Sequence, residues 1–335
     1  MRQAIVFLTQ REIEQLAEVY ATLRVVRDAF IALARGGAVM PPKIYLPLPH
    51  GNDFRAMPAY QAHPPACGVK WVNVHPRNPR RGLPTIMALI VLNDPATGLP
   101  LAVMDGMVIT KLRTAASAAV AAQVLSRPDS RLIGLIGCGA QADAQVVALA
   151  AVRPVEWVRV WGYFPQEAMR FCRRMRRQMP RVAFEPCATI ERCVRGVDVV
   201  VTITPSRRPL IQRAWLSPGV HINAIGADAP GKQELDPKIL REATVIVDDY
   251  EQAIHGGELN VPVRRRQYDP DDIHASLGEI LIGRRRARQR AQELTVFDST
   301  GLAIHDVALG AHLLRQAIRR RVGHRLHLLD SSPVV

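Results

Sequence analysis

The stretch that decides the fold is RLIGLIGCGAQAD, residues 131–143. An apolar run, Leu132–Ile136, is followed by Gly137-Cys138-Gly139-Ala140-Gln141-Ala142 and then by a helical pattern. The first glycine permits a tight turn, the second lets the backbone approach a pyrophosphate, and the small Ala142 allows close helix–strand packing. This G-x-G-x-x-A pattern between a strand and a helix predicts dinucleotide binding, and the alternative is a purely structural glycine turn.

Beyond this stretch, apolar runs and helical patterns alternate up to about residue 305. An Ala-rich helix precedes it at 114–125, and further strand candidates lie at 158–161, 197–204, 220–225 and 245–248. Most of these runs are near-continuously apolar, which is typical of parallel strands that are covered on both faces. The pattern predicts a doubly wound parallel sheet, a Rossmann dinucleotide-binding domain over residues 114–305.

The first hundred residues have a different pattern. Residues 12–36 show the spacing of one amphipathic helix, 69–74 is strand-like, and 86–92 pairs naturally with 101–104 across a turn. A helix from about residue 301 can return to this region. We therefore expect an α/β protein whose Rossmann domain interrupts a discontinuous α+β domain, residues 1–113 and 306–335.

The end of the second Rossmann strand bears on the choice of dinucleotide. An Asp or Glu there commonly binds the ribose 2′-hydroxyl of NAD. Here the strand ends at Gly162-Tyr163, without an acid, so nothing repels a 2′-phosphate. Tyr163 is not the Arg typical of NADP sites, and Arg173 or Arg174 would have to reach in. The expected cofactor is NAD or NADP, with a preference for NADP.

The charge composition raises the question of a nucleic-acid partner. Of 44 Lys and Arg residues five are Lys, and the net charge is +14. Clustered arginines suit a nucleic-acid surface, but they also occur on solvated helix faces. No zinc-finger, RNP or basic-zipper pattern accompanies them, and aromatic residues are only 5% of the chain, too few for base stacking. We expect no nucleic-acid partner.

The remaining composition favours a cytoplasmic protein without a membrane segment. The longest apolar runs are far shorter than the roughly 18 to 20 residues of a membrane span, and Ala4–Leu8 is too short for a signal peptide. Five cysteines without a C-x-x-C pair fit a reducing compartment. Scattered histidines give no metal-binding spacing, so no metal is expected.

Three side chains are candidates for chemistry, each with an ordinary alternative. Lys70 shares a strand face with apolar residues, so its amine either reaches water or is desolvated with a lowered pKa. Arg113, near a helix start, is either an anion clamp or a surface residue. Asp228, in the Gly226–Lys232 turn region, either stabilises the turn or transfers protons.

Seven ordered motifs together resemble the ornithine cyclodeaminase/mu-crystallin family over about residues 10 to 325. They are Met57-Pro58-Ala59-Tyr60, Gly68-Val69-Lys70, residues 109–116 (ITKLRTAA), residues 137–142, residues 223–228 (NAIGAD), His255-Gly256-Gly257-Glu258 and Phe297-Asp298-Ser299-Thr300-Gly301. Three stretches, 54–60, 70–76 and 231–236, are most similar to the archaeal-type alanine dehydrogenases within this family.

The resemblance implies a homodimer whose first domains join their sheets, with the active site between the domains of each subunit. It implies that Lys43, Arg55, Lys70 and Arg113 bind the substrate and that Lys70 or Asp228 is the acid/base. The motifs and the resemblance together predict a set of cofactor-binding residues. They are Thr114, Gly137, Cys138, Gly139, Ala140, Gln141, Gly162, Tyr163, Thr204, Asn223, Ala224, Ile225, Gly226, Lys232 and Ser299.

Two departures from the ornithine cyclodeaminases bear on the substrate. Lys43 stands where they tend to carry an Arg, which keeps the charge but loses the fork geometry. Arg55 stands where they tend to carry a Glu for the distal amine of ornithine, so it disfavours diamino acids. The resemblance therefore implies an NAD(P)-dependent alanine dehydrogenase, an oxidoreductase acting on a small 2-amino or 2-keto acid. The alternatives are a cyclic ketimine (pyrroline- or piperideine-2-carboxylate) reductase, an ornithine cyclodeaminase, and a non-enzymatic nicotinamide-binding protein of the crystallin type.

Overall fold

The computed structural model describes residues 4–327. These residues divide into two compact units, one formed by the chain up to Arg113 and from Leu302 onward, the other by Thr114–Gly301. The predicted return at residue 306 lies inside the helix that begins at Ala303. Residues 1–3 and 328–335 of the predicted first domain lie outside the described residues.

The first unit opens with short helices and an extended sheet. Its elements in chain order are β1 (Ala4–Leu8), α1 (Gln10–Leu16), α2 (Val19–Ala34), β2 (Ala38–Val39), β3 (Ile44–Leu48), β4 (Asn52–Gln61), β5 (Ala66–Val74), β6 (Ile86–Asn93), β7 (Pro100–Asp105) and α3 (Gly106–Leu125). The expectation of one helix over 12–36 was wrong, because Ala17 and Glu18 adopt extended dihedral angles that separate α1 from α2.

The second unit follows from residue 114, inside α3. Its further elements are β8 (Leu132–Ile136), α4 (Ala142–Ala150), β9 (Trp157–Trp161), α5 (Pro165–Gln178), β10 (Ala183–Pro186), α6 (Ile190–Val194), β11 (Val199–Thr202), β12 (Arg207–Ile211), β13 (His221–Ala224), β14 (Gln233–Leu235), α7 (Pro237–Glu242), β15 (Thr244–Val247), α8 (Tyr250–Gly256), α9 (Asn260–Arg264), β16 (Ala275–Ser276), α10 (Leu277–Leu281) and β17 (Thr295–Asp298). The chain then returns to the first unit through α11 (Ala303–Arg320) and β18 (His324–His327).

The sheet of the first unit is mainly antiparallel. Its order is β18-β1-β7-β6-β5-β4-β2, with β3 beside β4, and only the β1–β7 pair is parallel among the described strands. Helix α11 packs on β4, β5, β6 and α2, so one sheet face is buried. Residues alternate between the two faces of a strand, and Lys70, opposite Met57 and Ile90, points to the α11 side.

The other face of this sheet is exposed and apolar. Trp71 and Leu89 are cross-strand partners that are 43% and 50% exposed. The Phe54 ring lies 5.0 Å from that of Trp71, and Leu46, the β3 partner of Phe54, is also exposed. Leu46, Phe54, Trp71 and Leu89 are neighbours, and together they define what we call the apolar face. It is a contiguous patch rather than a set of isolated exposed hydrophobic residues.

The second unit has the predicted doubly wound architecture. Its sheet order is β10-β9-β8-β11-β13-β17-β15-β16, and every described pairing in it is parallel. The strand order reverses between β8 and β11, and α/β sheets bind ligands beyond the carboxyl ends of strands at such a point. Separate apolar cores cover the two faces of the sheet. The predicted fold class is confirmed.

No helix in residues 4–327 is long and apolar enough to cross a membrane.

Candidate active site

Lys70 is completely enclosed in the first unit. Its side chain is 1% exposed, and its Nζ donates to Asp306 Oδ2 at 2.5 Å and to Thr110 Oγ1 at 3.3 Å. Desolvation by burial lowers the pKa of Lys70 to about 7, although the Asp306 carboxylate acts in the opposite direction. The amine therefore does not reach water, and it is poised to gain or lose a proton near neutrality.

Arg113 approaches the same carboxylate from α3. Its Nε donates to Asp306 Oδ1 at 3.1 Å, so each oxygen of Asp306 holds one cation. Burial alone would raise the pKa of Asp306, but Arg113 and Lys70 hold it below its usual value. The terminal nitrogens of Arg113 make no hydrogen bond to any described residue.

Lys43 adds a third cation to this group. Its charge acts on Lys70, together with that of Arg113, in the direction that lowers the pKa of the Lys70 ammonium. Lys70 and Arg113 thus share the single carboxylate of Asp306, and Lys43 adds its charge next to Lys70. The surplus of positive charge suits a small anion such as a substrate carboxylate.

Arg55 is engaged by a neighbour on its own strand. Its Nε and Nη2 donate to the two oxygens of Asp53 at 2.7 and 2.9 Å, and its guanidinium lies 5.0 Å from the centre of the Tyr45 ring. The register of β4 and β5 places Arg55 on the same sheet face as Lys70, two residue pairs further along. Its charge is therefore neutralised by Asp53 rather than left open.

The glycine loop of the second unit fits a dinucleotide pyrophosphate. Gly137 has φ of +103°, and a Cβ there would lie 2.7 Å from the Ile203 carbonyl oxygen, so only glycine is accommodated. A Cβ on Gly139 would meet nothing within 4 Å, which leaves open space beside the backbone. Helix α4 has no side-chain cap, and Gln141 Oε1 is buried without a partner among the described residues. Uncapped N–H groups and open space are what a phosphate needs.

The segment after β9 carries no carboxylate before α5 begins. Tyr163 is 78% exposed. Burial and Glu167 raise the pKa of the Cys138 thiol, and Arg170 and Arg174 act against that shift, so all three α5 side chains lie within electrostatic reach of the glycine loop. Arg174 was considered from the sequence, and Arg170 was missed.

A buried glutamate joins the ends of β11 and β13. Glu234 Oε1 accepts from the backbone and hydroxyl of Thr204 at 2.7 Å each, and Oε2 accepts from Gly226 N at 2.9 Å. Glu258 in turn accepts from the backbone N–H groups of Glu234 and Leu235. Thr204 and Gly226 are thus brought together, and their loops are held by carboxylates that the sequence reasoning did not single out.

The 223–228 stretch combines core and surface positions. Asn223 is buried and donates to the Ala118 carbonyl while facing His221, so its side chain is used inside the core. Ala224 and Ile225 are buried as well. Asp228, in contrast, is partly exposed and forms an ion pair with Lys232.

Ser299 and Thr114 complete the predicted set. Ser299 Oγ donates to Asp248 Oδ2 at 3.4 Å, and the same carboxylate accepts from Thr300 Oγ1 and Gly301 N at 2.9 and 2.8 Å. Thr114 is buried in α3. Ala140, in the glycine loop, is exposed.

In residues 4–327, no group of three His, Cys, Asp or Glu side chains could hold a metal ion.

The most important residue that the sequence reasoning missed is Asp306. The available signal was a His305-Asp306 pair in an otherwise apolar helix, since charged residues are rarely buried unless they are paired. Its partners lie 193 and 236 residues away, so the pairing itself was not visible.

Comparison with known proteins assigns the chain to a family. The family model described as the ornithine cyclodeaminase/mu-crystallin family matches residues 3–320. The chain belongs to this family. Its relatives include the alanine dehydrogenase of Archaeoglobus fulgidus, which is 45% identical over 95% of this chain and 97% of its own length.

Two solved structures are very similar to this chain. An archaeal alanine dehydrogenase dimer with bound NAD has a TM-score of 0.93 and 43% identity, with 98% of this chain and 100% of the other covered. The Thermococcus litoralis Δ1-pyrroline-2-carboxylate reductase, in complex with NADH and L-proline, has a TM-score of 0.93 and 31% identity, with 96% and 100% covered. The predicted family is confirmed, and so is the prediction that the chain is an enzyme, an oxidoreductase.

Proposed function

We propose that this protein is an alanine dehydrogenase, which oxidises L-alanine with NAD(P)+ and water to pyruvate, ammonium, NAD(P)H and a proton. The observation that carries the proposal is the buried pair of Lys70 and Arg113 on the carboxylate of Asp306, with the charge of Lys43 acting on Lys70. The 45% identity to the Archaeoglobus fulgidus alanine dehydrogenase supports it.

The substrate carboxylate is bound by Arg113 and Lys43. Arg113 uses Nε for Asp306, which leaves the terminal edge of its fork for a second carboxylate. Lys43 supplies a further positive charge close to Lys70. Fixing the carboxylate orients the Cα–H bond, which is largely a gain in orientation entropy.

Lys70 carries the protons. A neutral Lys70 amine accepts one proton of the alanine ammonium, so that loss of the Cα hydride leaves an iminium. When water adds to the iminium carbon, both protons of the water pass to the departing nitrogen, which leaves as ammonium, and Lys70 afterwards releases its own proton, as a pKa near 7 allows. A bound nicotinamide supplies the acceptor for the Cα hydride. Asp228 forms an ion pair with Lys232, so its carboxylate is already engaged, and the proposal assigns the proton transfer to Lys70 instead.

The Arg55–Asp53 pair restricts the side chain of the substrate. Because the Arg55 guanidinium pairs with both oxygens of Asp53, the charge of this carboxylate is offset and it attracts the distal amine of a diamino acid only weakly. The expectation that Arg55 binds the substrate carboxylate is replaced in this proposal by a role in excluding ornithine.

For the dinucleotide we propose that NADP is accepted at least as well as NAD. No carboxylate follows β9 before α5, and two guanidinium groups, those of Arg170 and Arg174, oppose one carboxylate, Glu167, near the glycine loop. The two solved structures named above contain NAD and NADH. The proposed acceptance of NADP by this chain therefore rests on these residues of α5.

A second candidate function is reduction of Δ1-pyrroline-2-carboxylate. The observation that favours it is the TM-score of 0.93 to the Thermococcus litoralis reductase. The two functions are separated by following reduced nicotinamide absorbance with pyruvate plus ammonium, and separately with the pyrroline, using NADH and NADPH in parallel. Consumption that requires both pyruvate and ammonium supports the alanine dehydrogenase, and consumption with the pyrroline alone replaces it.

We propose that the protein is a homodimer that buries the apolar face of Leu46, Phe54, Trp71 and Leu89. This face has the aromatic and aliphatic character of a stable interface, and the archaeal relative is described as a dimer. Trp71→Glu should convert the dimer to a monomer in light scattering, whereas Tyr20→Glu, an exposed aromatic residue on α2, should not. A monomeric wild-type protein would contradict this assembly.

A further inference from the structure

We propose that Asp306 is a positioning residue that holds Lys70 on one carboxylate oxygen and Arg113 on the other, so that both cations are presented to the substrate in a fixed arrangement. The proposal rests on the function proposed above for Lys70 and Arg113.

The first support is the geometry of the contacts. Lys70 Nζ lies 2.5 Å from Asp306 Oδ2, and Arg113 Nε lies 3.1 Å from Oδ1. The planar carboxylate thereby fixes the separation between the two nitrogens. Asp306 is completely buried in the first turn of α11, where packing on the sheet and the positive end of the helix dipole both favour an immobile carboxylate.

The second support is the way in which Arg113 is bound. Asp306 takes the Nε edge of the guanidinium, and the terminal nitrogens have no described partner. A neutral residue at 306 would free the whole guanidinium to rotate, and a substrate carboxylate would then have to order it on binding. Such ordering costs side-chain conformational entropy and weakens binding of the substrate.

The third support is the charge around Lys70. The charged or titratable groups that face it are Asp306 and His305 on α11, Arg113 on α3, and Lys43 before β3, and Thr110 adds a hydroxyl. Burial lowers the pKa of His305 to about 3, so this imidazole is neutral. Asp306 is therefore the only anion among these groups, and its removal leaves the ammonium facing cations alone.

The small number of lysines makes this directly measurable. The chain has five Lys residues, so selective labelling of lysine ε-carbons gives five resonances, and Lys70→Arg identifies that of Lys70. In the full-length wild-type protein the Lys70 signal should titrate near pH 7. In Asp306→Asn the midpoint should fall by about one pH unit or more, because the only neighbouring anion is lost. An unchanged or raised midpoint would overturn the proposal.

A matched control separates positioning from general loss of stability. Asp198 is another ion-paired aspartate, bound to Arg127 and to the backbone of Arg131 and Leu132 in the second unit. Asp198→Asn should lower the melting temperature without moving the Lys70 titration. A shift of equal size in this control would show that the Lys70 signal reports only loosening of the fold.

If Asp306→Asn does not fold, Asp306→Glu provides the test. Its charge is kept but its oxygens are displaced by one methylene, so the Lys70 midpoint should stay within about half a pH unit while kcat/KM for pyruvate falls about tenfold or more. Wild-type kcat/KM in Asp306→Glu would overturn the positioning role.

The titration needs no substrate, so the two proposals fail separately. A shifted midpoint in a protein that does not turn over alanine would reject the alanine dehydrogenase and retain the role of Asp306 in holding Lys70. Turnover of alanine by the wild type, with an unshifted Lys70 midpoint in Asp306→Asn, would support the alanine dehydrogenase and reject the role of Asp306.

Discussion

The two units of this protein offer ligands different kinds of binding groups, backbone N–H groups in one and charged side chains in the other. In the second unit the glycine loop after β8 offers backbone N–H groups and open space, and the residues that form it are consecutive in sequence. In the first unit Lys70, Arg113 and Asp306 offer buried charged side chains from three distant segments. A backbone site depends on the local absence of side chains, whereas a charged site exists only when the whole unit has folded.

The largest expected effect concerns the charged site. Lys70→Met should lower kcat by about a thousandfold, because the group that transfers protons is lost. Lys238→Met, which alters an exposed lysine on α7, should retain activity within about twofold and serves as the control. Steady-state kinetics with alanine measures both, and substantial turnover by Lys70→Met would assign the proton transfer to Asp228.

The two glycines of the backbone site should respond differently to alanine. Gly137→Ala should destabilise the protein by about 2 to 4 kcal/mol, since its φ of +103° and the Ile203 carbonyl both exclude a Cβ. Gly139→Ala should fold normally but bind the dinucleotide about tenfold to a hundredfold more weakly, since the methyl enters open space. Chemical denaturation and fluorescence titration with NADH distinguish these outcomes, and equal loss of stability in both variants would contradict the comparison.

The two units should also respond to pH in opposite directions. Burial lowers the pKa of Lys70 from 10.5 to about 7, so stability from this group is fully present above 10.5 and decreases as the pH falls to 7. Burial and Glu234 raise the pKa of Glu258 well above 4.5, so stability from this group is present below 4.5 and decreases as the pH rises.

Unfolding free energies measured at several pH values test this contrast. Lys70→Met should remove the rise in stability between pH 7 and 10.5, and Glu258→Gln should reduce the decline above pH 4.5. Gln retains an oxygen that can accept from Glu234 N and Leu235 N, so the fold is preserved. Identical pH slopes in wild type and both variants would show that neither group is titrated on unfolding.

The smallest effect concerns the choice of dinucleotide. Arg174→Ala should weaken binding of NADP about tenfold relative to NAD, because one guanidinium near the glycine loop is removed. Arg173→Ala, which alters a neighbouring arginine on the same helix, is the matched control. Equal affinities of the Arg174 variant and the wild type for NADP would remove Arg174 from the site.

The fold was predictable where the signal is local. The largely apolar runs of β8, β9, β11 and β13 indicated a parallel sheet, and these four strands are neighbours in it. Strand β17 was missed although it lies inside the sheet, because only Val296 and Phe297 of its four residues, Thr295–Asp298, are apolar and no longer apolar run surrounds them. The break at Ala17 and Glu18 was also missed, since the apolar spacing continues through it.

The sequence by itself determined the glycine loop, the doubly wound unit and Lys70 as a candidate amine. These rest on backbone conformation and on residue alternation, which act between neighbours in the chain. Only the tertiary structure decided that Lys70 is buried, that Arg55 is neutralised by Asp53, and that Asp306 holds Lys70 and Arg113. Burial and charge pairing depend on which distant segments pack together, and an ion pair across 236 residues leaves no periodic trace in the sequence.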